Sequence, residues 1–200
     1  MLSPAIRDII ARMSSRVFLG HELCRQEDWL HIMKNYTVDL FAAVPALQKY
    51  PVGLRRHIAW LFPECRRVRD HYWKARAVIE PVIAKREETR RAALAAGQPV
   101  PYFNDALDWI EQESKERGCD YDVATFQLTM STVAIQTTTD LVQQVIVDLI
   151  QHPEAMQPVR DEIAHVLRTD GWKKSSLYNM KLLDSVIKES QRLKPFFTGT

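Results

Sequence analysis

The sequence is short of the residues that staple or puncture small folds. Among its 200 residues are only three cysteines, Cys24, Cys65 and Cys119, odd in number and widely spaced. There is no C-x-x-C pair, no C-x-x-C-H attachment motif and no His/Cys cluster with zinc spacing. The nearest approach, His21 with Cys24 in "HELC", has no second pair of ligands. All three thiols are therefore expected to be buried or partly buried, in a reducing compartment. Glycine is also scarce, at six residues, which argues against a β-rich fold full of tight turns. Charge of one sign is lacking too: the formal balance is +2, so no global field points toward nucleic acid. The one basic run, "AKREETRR" from Ala84 to Arg91, is interleaved with glutamates and reads as a solvated helix end. No nucleic-acid partner is expected. The first residues, "MLSPAIRDIIARMSSRVF", lack the uncharged apolar block of a signal peptide or membrane anchor, and no membrane-spanning segment is expected anywhere.

What is present is helical period. Ser3 is a candidate cap and Pro4 a first helical residue, followed by apolar Ile6, Ile9, Ile10 and Met13. A second helix is expected from about Gln26, with Trp29, Ile32, Met33, Tyr36 and Leu40 in register and Pro45 and Pro51 punctuating its far end. Helix pattern resumes after Pro51, is interrupted at Pro63 and is rich in arginine and aromatics, as a surface helix with one buried stripe would be. "AAGQPVPYF", Ala95 to Phe103, is the clearest loop but is not read as a domain boundary. A short helix, capped by Asn104 and stopped at Gly118, follows.

A long element runs from near Asp122 to about Gln151, roughly 45 Å at 1.5 Å per residue. Between Asp122 and Asp140 it has no charge, yet it carries seven hydroxyl side chains and two glutamines, too many for a lipid-facing helix. It is expected to be buried through the middle of a protein. A helix ending at Gly171 comes next. The last, "MKLLDSVIKESQRLKP", presents Leu182, Leu183, Val186 and Leu193 and ends before Pro195. No strand pattern and no internal repeat is found; the fold class is all-α.

Three segments matter together: "VAIQTTTDL" on the long helix, "LIQHPEAMQPVRDEI" after it, and "LLDSVIKESQRLKP" with Glu189-x-x-Arg192. Consecutive threonines are poor helix material, because each is β-branched and each hydroxyl can bond back a turn and bend the helix. Singly, these segments are common. In this order and spacing they resemble the cytochromes P450, the haem-thiolate monooxygenases, and in particular their filamentous-fungal secondary-metabolism members. "SSRVFLGHELCRQEDWL" near the start resembles the same branch. The resemblance covers the whole chain, which is then one incomplete domain: the middle helical portion of that fold, from the long central helix through the E-x-x-R helix.

The resemblance implies roles. Val133 to Thr138 lies over the family's A-G-x-[D/E]-T-T pattern, where a locally distorted helix makes room for oxygen above haem. Thr137 matches the oxygen-activating threonine. Gln136 stands where the family usually has an acid, and an amide can orient water but supplies no proton at neutral pH. Met130, Val133 and Ala134, with Phe196 and Phe197, would face the substrate pocket, plain core packing being the competing reading. Glu189 and Arg192 match a structural ion pair. Haem as cofactor, an NADPH-dependent reductase and a hydrophobic metabolite to be hydroxylated or epoxidised are what the family implies, with the endoplasmic reticulum membrane as its usual location.

The same family needs a thiolate on the iron, carried in a glycine-containing loop, F-x-x-G-x-x-x-C-x-G. None of Cys24, Cys65 or Cys119 has that context. The expectation is accordingly a truncated, catalytically inactive polypeptide. The alternative is a non-catalytic helical interaction module.

Overall fold

The computed structural model describes residues 2–195, the side chains of residues 2 and 3 apart. Among the described residues there are helices and connections but no strand: α1 (Leu2–Leu23), α2 (Glu27–Gln48), α3 (Val52–Ile58), α4 (Pro63–Ala95), α5 (Ala106–Arg117), α6 (Val123–Gln151), α7 (Pro153–Asp170), α8 (Lys174–Asn179) and α9 (Lys181–Leu193). The all-α class is as expected. No helix among the described residues is long and apolar enough to cross a membrane.

The chain divides into two compact units. One takes Met1–Ile6 with Thr137–Thr200, the other Arg7–Gln136, so the division falls inside α6.

In the larger unit, α2 packs along α4. Trp29, Ile32 and Met33 of α2 are buried, as their spacing predicts, and the indole Nε1 of Trp29 donates to Ser15 Oγ at 3.0 Å. Pro45 does not end α2, which continues to Gln48. The inward face of α1 here differs from the expected one: Ile10 and Ala11 are buried, whereas Ile9 and Met13 are exposed. This helix starts at Leu2, so Ser3 lies within it rather than before it. On α4 the buried stripe is Cys65, His71, Ala75, Ile79 and Arg86.

Arg86 overturns the reading of "AKREETRR" as solvated. Its side chain is only 4% exposed and binds Asp105, Asp108 and Glu22. Arg90 reaches Asp108 and Glu111 at 2.6 and 2.7 Å, and the Phe103 ring lies against both guanidiniums. Burial opposes the Arg86 charge, but the hydrogen bond and charge of Asp105, with Glu22 and Asp108, more than offset it and raise its pKa. Asp105, not Asn104, caps α5: its carboxylate accepts from the Asp108 N–H, while Gly118 ends the helix in the left-handed region.

The smaller unit is organised by α7, which packs on α8 and α9. Glu162 of α7 caps α9 across space, its two carboxylate oxygens accepting the N–H groups of Leu182 and Leu183 at 2.8 and 2.9 Å. Burial opposes ionisation there, but the N–H groups outweigh it and lower the carboxyl pKa. α8, only six residues long, carries too little period to be seen in the sequence.

Candidate functional site

α6 is unbroken from Val123 to Gln151. The threonine run does not interrupt the helix, and each β-branched residue keeps a helical backbone within it. The run instead sorts its hydroxyls by register. Thr137 is half-buried, Thr138 is exposed, and Thr139 is buried. At about 100° per residue, Thr139 is turned roughly 200° from Thr137.

Thr137 and Thr138 open onto a groove of about 570 Å³, whose other walls are Asp140, Leu141 and Gln144 of α6 and Gln191, Lys194 and Pro195 at the end of α9. Lys194 Nζ stands 3.4 Å from Asp140 Oδ1. Gln144 Nε2 donates to Asp148 Oδ1 at 2.7 Å. A second, smaller hollow of about 290 Å³ lies further along the same helices, between Asp148, Leu149, His152 and Glu154 and the α9 residues Val186, Glu189, Ser190 and Leu193.

Glu189 and Arg192 form a two-pronged pair, Nε to Oε2 at 2.8 Å and Nη2 to Oε1 at 2.6 Å, both side chains more than half exposed. The hydrogen bond from Arg192 chiefly lowers the Glu189 pKa and raises that of Arg192. The α9 side chains expected to be apolar and inward are only partly so: Leu183 and Val186 are half-buried, and Leu182 and Leu193 are exposed.

The structure brings Thr137 to the groove and leaves Gln136 half-buried beside it on the helix. Met130 and Val133 are exposed and Ala134 is half-buried. These exposed positions correct the expectation that α6 is buried on most sides; its buried residues are Ala124, Gln127, Leu128, Ser131, Thr132, Ile135 and Thr139. Phe196 and Phe197 lie outside the described residues. Sequence reasoning missed Asp140 and Lys194. The signal for the first was its place three residues after Thr137; nothing local pointed to the second.

Residues 2–200 match the family model of cytochrome P450, and the chain belongs to that family. It is 51% identical to cytochrome P450 monooxygenase 2 of Gibberella fujikuroi, over 94% of this chain and 39% of that protein. It is 50% identical to cytochrome P450 monooxygenase hepE of Aspergillus oryzae, over 94% and 34% respectively. With cytochrome P450 monooxygenase adrA of Penicillium rubens the identity is 43%, over 97% and 38%. The chain thus spans well under half the length of these relatives.

The family implies haem. The groove offers two hydroxyls with Leu141 and Pro195 as its apolar side chains, the rest of its described lining being polar or charged, and none of the three thiols lines it. Cys24 and Cys65 are buried, and Cys119 is exposed, against the expectation that all three would be covered. All three belong to the larger unit, whereas the groove belongs to the smaller. Among the described residues no group of three or more His, Cys, Asp or Glu side chains is placed to hold a metal ion.

Proposed function

We propose that this chain supplies the oxygen-side wall and the ion-paired helix of a fungal haem-dependent monooxygenase of secondary metabolism. By that reading the whole protein hydroxylates or epoxidises a hydrophobic metabolite, with electrons from an NADPH-dependent reductase. Haem bound through a thiolate supplies the dioxygen activation, driven by electron donation from sulfur. The single observation that carries the reading is the groove in which Thr137 and Thr138 face the end of the Glu189–Arg192 helix, in a chain that belongs to the family.

The work of this chain's own residues follows from their chemistry. The Thr137 hydroxyl both donates and accepts, so it can hold a water at the groove wall and pass a proton through it. Gln136 orients water without supplying a proton. Met130, Val133 and Ala134 offer apolar side chains to a hydrophobic substrate. Glu189 and Arg192 pair with each other on the helix that forms the opposite wall. The iron's thiolate has to come from residues other than Cys24, Cys65 and Cys119, so these 200 residues by themselves are inactive.

The test is haem uptake by the purified chain, with and without a groove-filling Leu141→Trp substitution. The expected result is a Soret shift that Leu141→Trp abolishes, and no red-shifted thiolate band on reduction under carbon monoxide. Uptake indifferent to Leu141→Trp would overturn the groove assignment. A cooperatively folded chain that takes up no haem would instead support a helical interaction module, for which the exposed Trp60 and Leu61 are the candidate contacts.

A further inference from the structure

We propose that a basic hollow at the C-terminal end of α1 binds a ligand carrying a phosphate group, with Arg16 and Arg25 as its principal holds and Arg12 beside them. The hollow belongs wholly to the larger unit, so phosphate binding there and haem binding stand or fall separately. Its volume is about 560 Å³, and Arg12, Met13, Arg16, His21, Cys24 and Arg25 line it. Arg12 and Arg16 stand one turn apart on α1. Gly20, at φ 75°, then departs from helical backbone and begins the turn that carries His21, Cys24 and Arg25. Both walls are fixed from behind. Ala11, Ser15 and Leu19 under the first and Leu23 and Cys24 under the second are buried, and Ser15 Oγ accepts the Trp29 indole N–H.

The charge of the hollow is unbalanced. Three guanidiniums and an imidazole line it, and no carboxylate does. Glu27 meets Arg12 at 2.7 Å, whereas Arg16 and Arg25 have no hydrogen-bond or ion-pair partner among the described residues. Like charges one turn apart weaken a helix, and nothing in the fold offsets that cost at Arg16. A compact anion does. Each guanidinium presents a planar fork of N–H donors that matches the oxygens of a phosphate in pairs. Several forks in one hollow favour a group that gathers about two negative charges at neutral pH, as a phosphate ester does and a single carboxylate does not. The overall balance of +2 supplies no long-range field for a nucleic-acid backbone, so this positive charge is a local feature. Met13, 63% exposed, gives the same hollow an apolar contact for the group that the phosphate is attached to.

The test is calorimetric titration of the purified 200-residue chain with inorganic pyrophosphate, at low ionic strength where exposed charges are least screened. Saturable binding is expected, and Arg16→Gln and Arg25→Gln are each expected to weaken it about tenfold, the worth of one charge-assisted hydrogen bond. Arg66→Gln, at an exposed arginine of α4 outside the hollow, is expected to change nothing. The ligand-free Arg16→Gln chain should unfold no more readily than the unsubstituted one, because the substitution removes a repulsion; lost binding is then not lost fold. Absence of saturable binding, competition by acetate at matched ionic strength, or equal weakening by Arg66→Gln would overturn the proposal. Phosphatidylcholine vesicles with and without phosphatidic acid identify the source of the phosphate. Capture that requires phosphatidic acid and is lost in Arg16→Gln assigns a lipid headgroup, and pyrophosphate binding without capture assigns a soluble phosphate ester.

Discussion

Arg86 and Asp105 meet through two parallel hydrogen bonds, Nη1 to Oδ1 at 2.9 Å and Nη2 to Oδ2 at 2.6 Å, with almost none of either side chain in contact with water. Such a pair contributes little net stability compared with apolar groups of the same shape, but removing one partner strands the other charge. Arg86→Met is therefore expected to cost about 3–5 kcal/mol, since it leaves the Asp105 carboxylate buried with no cation on it. Arg86→Lys is expected to recover only part, because an ammonium cannot reproduce the fork. Denaturant unfolding of the three proteins decides the point.

The same carboxylate explains a glycine. Gly20 sits at φ 75°, ψ −165°, a region essentially closed to other residues, and a Cβ there would lie 2.3 Å from Asp105 Oδ2 and 2.8 Å from an Arg86 nitrogen. The backbone alone makes Gly20→Ala cost about 1–3 kcal/mol. The contact adds to this by pushing on the ion pair. The two sites share atoms, so Gly20→Ala and Arg86→Met are expected to cost less together than the sum of their separate losses in unfolding experiments.

These two positions also mark where sequence reading stops. Helix extents were legible, because the signals are local: Gly118 and Gly171 end α5 and α7, and His152-Pro153 separates α6 from α7. The register of the threonine run was not, because the sequence suggested a distortion where the helix runs on unbroken. The inward turn of Arg86 was not, because its partners lie 19 and 22 residues away and its neighbours Lys85 and Glu87 are exposed. Asn104 and Asp105 are equally good caps on paper; the bond to Arg86 chooses between them. Glu162 capping α9 and Lys194 reaching Asp140 are likewise contacts made only after the helices pack.

Asp39 predicts how stability responds to acid. Burial pushes its carboxyl up, but hydrogen bonds and charge from Arg67 at 2.7 Å and His71 at 2.9 Å outweigh this, and its pKa is lowered. The folded protein therefore binds this proton less readily than the unfolded chain does. Its contribution is present above the ordinary aspartate value of about 4 and is lost as pH falls through the lowered one. Asp39→Asn is expected to destabilise the protein at neutral pH and to flatten the fall in unfolding free energy below about pH 4. An acid limb unchanged by Asp39→Asn would contradict this.

The thiols differ in reach. Cys119 is exposed, whereas Cys24 and Cys65 are buried. A thiol reagent under native conditions is expected to modify one site quickly and all three only in denaturant. Cys119→Ser should remove the fast phase and leave the slow one, and two fast phases in the native protein would be at odds with the burial of Cys24 or Cys65.

The three adjacent threonines respond differently to the same substitution because one helix turns them to different surroundings. Thr139 is 4% exposed, and its hydroxyl finds no hydrogen-bond partner among the described residues. An unsatisfied buried hydroxyl costs about 1–3 kcal/mol, whereas a methyl in its place fills the same volume without that penalty. Thr139→Val is accordingly expected to leave stability unchanged or to raise it by up to about 1 kcal/mol. Thr138, exposed at the groove mouth, should tolerate Ala with no measurable change. Thr137→Val is expected to change what the groove binds, because its hydroxyl lines that wall. Equilibrium unfolding with haem titration on the three variants separates these outcomes. A large loss of stability at Thr139→Val would mean that its hydroxyl is satisfied after all, by a buried water between α6 and its neighbours, and that the threonine run is held in place by hydration rather than tolerated in spite of it.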